Sequence, residues 1–229
     1  MATKKKITRK KLKEPDEFVS TTTEMYQWVL ENWKYFLTGV VVLAIIVGGV
    51  FFWRYQKAQK EMAAFGLYHA IQVKVAKATD KTGKACADWD MLMKSYPGTP
   101  AAVYGQLQKA SCLLTHKDYD KSQAALKALL ERADTPTVVK VLSRLLEGYG
   151  LEEKKAYKEA AEVFASLLKE PGNFLKDTVR YHLYICQLKQ GKKEAAKETL
   201  AGLKIQGGSD FALPVMLVKI EKAQLGIKE

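Results

Sequence analysis

Residues 135–172 read TPTVVKVLSRLLEGYGLEEKKAYKEAAEVFASLLKEPG. Apolar residues recur every three or four positions on both sides of a short polar turn, the spacing of one face of an α-helix. Thr135-Pro136 opens the first half, with Thr as N-cap and Pro at the first helical position, where its missing N–H costs nothing. After the turn, Tyr157, Ala160, Phe164 and Leu167 share a face, and Pro171-Gly172 closes the second half. The stretch reads as helix, tight turn, helix.

The same pattern recurs on either side. Upstream, between Thr99-Pro100 and Thr135-Pro136, a Lys117-Asp118 turn is followed by Tyr119, Ala125, Leu126 and Leu129. Downstream, residues 173–208 place Gly191 at the turn and Ala195, Leu200 and Leu203 after it. The period is about 36 residues, within the range of helical repeat arrays. Residues 84–96, ending in Tyr96-Pro97-Gly98, read as the second helix of an earlier unit, with Trp89 in its packing position. The first helix of that unit is the preceding stretch, where Phe65, Tyr68, Ile71 and Val75 repeat at helical spacing until residues 79–83 break it. Residues 209–226 supply a last helix that caps the stack, with Pro214 starting or kinking it. One helix pair cannot bury its own apolar face, whereas stacked pairs form a continuous core and a concave groove suited to partner peptides or helices. Tyr68, Tyr104, Tyr149 and Tyr181 are the candidates to line that groove, core packing being the competing role of aromatics at this spacing.

Ahead of the repeats, residues 35–53 run YFLTGVVVLAIIVGGVFFW without one charge over 19 positions. At about 1.5 Å per residue they span roughly 28 Å, close to the thickness of a bilayer's hydrocarbon core. Trp33, Lys34, Trp53 and Arg54 flank the stretch as interface anchors, with Tyr35 and Tyr55 beside them. The apolar run is longer than a signal peptide's, and no small-residue cleavage site follows it. The expected division is a basic head over 1–34, a transmembrane helix over 35–53 and a repeat domain over 54–229.

The head carries +3 of the formal +12. Seven of its cations (Lys4, Lys5, Lys6, Arg9, Lys10, Lys11 and Lys13) stand in a block free of acids, which reads as solvated chain and holds an N-terminus in the cytoplasm. That places 54–229 across the membrane, although Arg54, Lys57 and Lys60 weaken the asymmetry. Residues 12–18 read either as a docking peptide or as a Pro-broken linker. Thr21-Thr22-Thr23-Glu24 reads as a helix start, followed by an amphipathic turn or two bearing Met25, Trp28, Val29 and Trp33.

The repeat domain's lysines are scattered among glutamates with no Arg-rich cluster, so a lipid-facing or solvated surface is expected rather than nucleic-acid binding. Cys86, Cys112 and Cys186 lack any CxxC spacing and read as small core residues; an oxidising compartment would permit a Cys86–Cys112 bridge if packed helices brought the two together. His69, His116 and His182 are far apart in sequence. Cys112 and His116 share a helix face, but two ligands make no metal site. With no phosphate loop, HExxH or nucleophile motif, no catalytic residue, cofactor or metal is expected. A membrane-bound enzyme built on Cys112 and His116 is the competing class.

The half-repeat Tyr157…Ala160…Phe164…Pro171 resembles the tetratricopeptide consensus, although the first halves leave its Trp and Leu-Gly positions largely unfilled. With Trp33-Lys34 before the span, Trp53-Arg54-Tyr55 after it, Tyr96-Pro97 and the Gly191…Ala195 turn, residues 24–205 resemble the YfgM-like family of bacterial inner-membrane proteins. The long Lys-rich head and residues 12–18 depart from that family's pattern. The resemblance implies an all-α chain, an N-terminal transmembrane helix followed by an α-solenoid of tetratricopeptide-like pairs facing the periplasm. It further implies an ancillary role at the Sec translocon, with translocon subunits and a membrane-anchored chaperone or prolyl isomerase as partners. Adaptors of cell division or outer-membrane assembly, or a cytoplasm-facing adaptor of inverted topology, are the rival readings.

Overall fold

A computed structural model describes residues 17–77, 83–203 and 215–225, whose regular elements are all helices, with no strand among them. The chain divides into two compact units, Met1–Ala58 and Gln59–Glu229. In the first, helix α1 (Glu17–Glu31) meets helix α2 (Trp33–Lys77) at Asn32, whose side-chain amide donates to the Trp28 carbonyl at 3.0 Å. α1 begins four residues before the Thr21–Thr23 run expected to cap it. The basic block and residues 12–16 lie outside the described residues.

The apolar part of α2 has a mean hydropathy of 2.5 over its best 18-residue window, and none of that window is buried. It is long and apolar enough to cross a bilayer. The Thr38 hydroxyl donates back to the Lys34 carbonyl at 2.8 Å and so is not left an unmet donor in an apolar surrounding.

The second unit opens with the last turns of α2. Ala64 and Ile71 pack with Trp89, Leu92 and Ala101, and Phe65, Tyr68 and Val75 lie against them. Trp89 and Leu92 come from α3 (Asp88–Ser95), which follows a single 3-10 turn (Lys84–Ala87). Three helix pairs follow: α4 (Pro100–Thr115) with α5 (Tyr119–Glu131), α6 (Thr137–Glu153) with α7 (Tyr157–Leu168), and α8 (Lys176–Lys189) with α9 (Lys193–Ala201). Their register is kept in the second helix of each pair. Ser122, Ala160 and Ala196 are buried at one position, Leu126, Phe164 and Leu200 four residues on, and Leu129, Leu167 and Leu203 three further.

The turn inside each pair has one geometry. Lys117, Lys155 and Gly191 are left-handed (φ 63°, 61° and 76°). The amide of the next residue reaches back to close the helix: Asp118 N to Leu113 O, Ala156 N to Leu151 O and Lys192 N to Gln187 O, at 2.9, 2.9 and 3.0 Å. This is the Schellman closure, which satisfies carbonyls the helix end would leave open. Between pairs, a polar side chain closes the outgoing helix instead. Thr135 Oγ1 donates to Leu129 O at 2.7 Å, Asn173 Nδ2 to Leu167 O at 2.9 Å and Lys222 Nζ to Leu203 O at 2.6 Å. Thr135 therefore does not cap α6, whose N-cap position is Pro136, while Thr99 does cap α4 by accepting from the Ala102 amide. Thr99 does both at once, donating to the Tyr96 carbonyl at 2.8 Å while it accepts from Ala102, whereas the Thr135 hydroxyl is turned back to Leu129. Lys222 belongs to α10 (Val215–Gln224), so the last described helix closes α9 as the start of a further pair would.

Gly148 in α6 is the closest approach inside a pair. A Cβ there would stand 2.3 Å from Phe164 Cε1 and 2.5 Å from Cζ, and Phe164 is fully buried with nowhere to turn. Gly148→Ala is expected to destabilise the repeat unit by about 1–3 kcal/mol, the usual cost of overpacking, measured by denaturant unfolding. Lys155→Gly is expected to act the other way. Relief of the left-handed strain, about 1–2 kcal/mol, exceeds glycine's extra chain entropy and leaves a gain of roughly 0.5–1 kcal/mol in the same assay.

Candidate partner-binding cleft

Because α4, α6 and α8 each end in an ordered turn, their carboxyl ends line up along one side of the repeat unit. A cleft of ≈ 600 Å³ opens there. α4 contributes Leu114 and Thr115, α6 Tyr149, Glu152 and Glu153, and α8 His182, Ile185 and Lys189. The left-handed lysines Lys117 and Lys155 line it from the turns, and Tyr119 and Tyr157, first residues of α5 and α7, follow them.

Its centre is an aromatic and ionic knot. The Tyr149 and His182 rings lie 4.4 Å apart, with Phe164 at 6.1 Å from the first and 5.6 Å from the second. His182 Nδ1 stands 2.8 Å from Glu152 Oε2. A contact this short fixes the ring's orientation. Gln190 Nε2 donates to the Tyr157 carbonyl at 2.8 Å and holds the start of α7 against the end of α8. Behind the knot lies Cys186, whose thiol burial, with the Glu152 carboxylate adding, pushes up to about 12. No nucleophile is activated by this arrangement: a protonated, buried thiol is inert. What the cleft offers is aromatic surface, hydrogen-bonding rims and charges of both signs, the equipment for gripping a polypeptide.

Of the four tyrosines expected in a groove, Tyr149 alone lines this cleft. Tyr68 packs on Trp89 with ring centroids 5.1 Å apart. Tyr104 lies half-buried against the α4–α5 core. Tyr181 is buried beside Tyr184, and burial raises its phenol above the ordinary value. Tyr119, Tyr157, Glu152 and His182 were not singled out from sequence as groove residues. The signal for two of them was present in the matching Lys117-Asp118-Tyr119 and Lys155-Ala156-Tyr157 triplets. Trp33, Lys34, Trp53 and Arg54 are all exposed along α2, and Lys57 Nζ lies 5.8 Å over the Trp53 ring.

The cysteines depart from their expected separate core roles. Cys86 and Cys112 form a disulfide, with Cα atoms 5.7 Å apart, because the 3-10 turn seats Cys86 against α4. Cys186 alone is free among the described residues.

A sequence-family comparison matches the tetratricopeptide repeat-like domain over residues 26–198, taking in the apolar helix as well as the helix pairs. No curated protein and no solved structure matches the chain.

Alkylation separates the three cysteines. At pH 8, a thiol with a pKa of about 12 is ionised in on the order of 1 molecule in 10,000. Iodoacetamide on the unreduced native protein is expected to label no cysteine, and on the unreduced, unfolded protein to label Cys186 alone, read by intact mass. Labelling at Cys86 or Cys112 without reductant would contradict the bridge.

Proposed function

The chain belongs to the tetratricopeptide repeat-like domain family, and from that membership we propose that it is a membrane-anchored protein–protein interaction scaffold of the bacterial envelope. Domains of this kind generally mediate protein–protein contacts through the surfaces their stacked pairs create. The observation that carries the reading is the cleft along the carboxyl ends of α4, α6 and α8, in the same chain as an unburied apolar helix of spanning length.

In this reading residues 35–53 cross the inner membrane once, the N-terminus stays in the cytoplasm, and residues 54–229 work in the periplasm. The acid-free cationic block before the span supports that orientation. The Cys86–Cys112 disulfide supports it independently, since such bonds persist in the periplasm and are rare in the cytoplasm. The resemblance to the YfgM-like family supports the narrower assignment. The scaffold is an ancillary adaptor at the Sec translocon, holding an anchored chaperone, a prolyl isomerase or the emerging polypeptide in its cleft. In this reading the chain binds its partners rather than acting on them as an enzyme.

Two experiments test this. A C-terminal alkaline phosphatase fusion is expected to be active, and an inactive fusion beside an active cytoplasmic reporter reverses the orientation. A photo-crosslinking residue at Tyr157, on the cleft, is expected to trap translocon subunits or an anchored periplasmic chaperone in native membranes. The same probe at the exposed Lys127 of α5, outside the cleft lining, is expected to trap neither. Trapping division or outer-membrane assembly proteins at Tyr157 would keep the scaffold and discard the translocon. Equal trapping at both positions would discard the cleft.

A further inference from the structure

The Cys86–Cys112 pair has a third donor beside it. His116 closes the carboxyl end of α4 one turn beyond Cys112, and the 3-10 turn presents Cys86 to both. One ligand atom from each of Cys86, Cys112 and His116 lies within 4.8 Å of the other two. We propose that this cluster is a redox-gated zinc site, shut while the sulfurs are bonded to each other and opened to Zn²⁺ when the bond is reduced.

The donor set is the first reason. Two thiolates and an imidazole are a borderline-soft combination suited to Zn²⁺, and their two negative charges match its two positive ones. Geometry is the second. Tetrahedral zinc holds S and N ligands at about 2.3 and 2.0–2.1 Å, which puts the donor atoms roughly 3.5–4 Å apart. Atoms already within 4.8 Å stand close to that spacing, and the two sulfurs need only part once their bond is reduced. Access is the third. His116 lines two clefts, one of ≈ 290 Å³ shared with Cys112 and Trp89, the other of ≈ 590 Å³ shared with Cys86 and Gly83. An ion can enter from either, and water can take the fourth position. Gly83, left-handed at φ 72°, keeps room for the ring: a Cβ there would stand 3.1 Å from His116 Cβ.

The chemistry balances with a dithiol as reductant. It passes two electrons and two protons to the Cys86–Cys112 bond, leaving two cysteine thiols and its own cyclic disulfide. Zn²⁺ then displaces the two thiol protons, which leave to solvent, and takes the lone pair of one His116 nitrogen. The site goes beyond the scaffold function and does not depend on it.

The full-length chain in detergent is the material for the test. It is reduced with a dithiol, which is then removed under argon before titration with Co²⁺. The expected result is one equivalent bound, with thiolate-to-cobalt charge-transfer absorption that Zn²⁺ displaces, and no such absorption from the unreduced protein. Since even the outer partners of zinc ligands are worth about 10–100-fold in affinity, His116→Ala is expected to weaken Zn²⁺ binding by at least tenfold. That variant keeps both cysteines and so keeps the staple during folding. Cys112→Ser is expected to abolish the charge-transfer band. A reduced protein that stays helical by circular dichroism but shows no band overturns the proposal. So does a band unchanged in both variants, or loss of helicity on reduction that zinc does not restore.

Discussion

A two-helix hairpin has more apolar surface than its own two helices can cover, and this shortage organises the repeat unit. Phe164 shows how it is met. The ring enters the space that Gly148 leaves empty on its partner helix. Val141, Leu145, Leu167, Val179 and Leu183, from α6, α7 and α8, complete the same core. No pair owns its core, since the layer between α6 and α7 is finished by α8, the first helix of the next pair. Stability in such a stack passes from neighbour to neighbour, so the ends need elements that are not full pairs. At the N-terminal end the later turns of α2 lend Ala64 and Ile71 to Trp89 and Leu92. At the other end α10 supplies Val218 to the last core and Lys222 to the last open carbonyl.

The cleft is a by-product of that register. Three Schellman closures at matched positions stop α4, α6 and α8 at corresponding points, so the side chains of their last turns face a common space. Tyr149, Glu152 and His182 meet there although 30 residues separate the last two. An extra turn on any one of these helices would fill the space, so the positions of the turns, more than the residues lining it, decide that a cleft exists.

This also sets what could be read from the sequence. Period, pairing and turns were legible, because the apolar rows and the Tyr157–Phe164 half-repeat report which face of each helix is buried. Trp89 was legible as a packing residue for the same reason. The groove tyrosines were not: Tyr104, Tyr149 and Tyr181 each stand among apolar residues of a helix, and only the neighbouring helix decides that Tyr181 is buried and Tyr149 lines the cleft. Thr135 was misread because its Thr-Pro pair is identical to that of Thr99, and nothing local shows that one hydroxyl reaches forward to an amide and the other only back to a carbonyl. The Cys86–Cys112 bond joins residues 26 apart with no motif between them, and follows from α4 lying against the 3-10 turn. The small residue at Gly148 was written in the chain, but its meaning rests on a ring 16 residues away.

The turns also show where stability gave way to something else. Gly191 occupies its left-handed position without strain, while the corresponding positions hold Lys117 and Lys155, for which that conformation costs about 1–2 kcal/mol each. Packing does not call for lysine there, since both side chains are exposed. What the two have in common, and Gly191 lacks, is a place on the lining of the cleft. Backbone strain that persists where a relaxed residue is available concentrates at functional sites. The two lysines put cations on the rim of a cleft whose Glu152 is already engaged by His182, leaving Glu153 as the other carboxylate of the lining. The lining thus sets Lys117, Lys155 and Lys189 around the Tyr119, Tyr149 and Tyr157 surface.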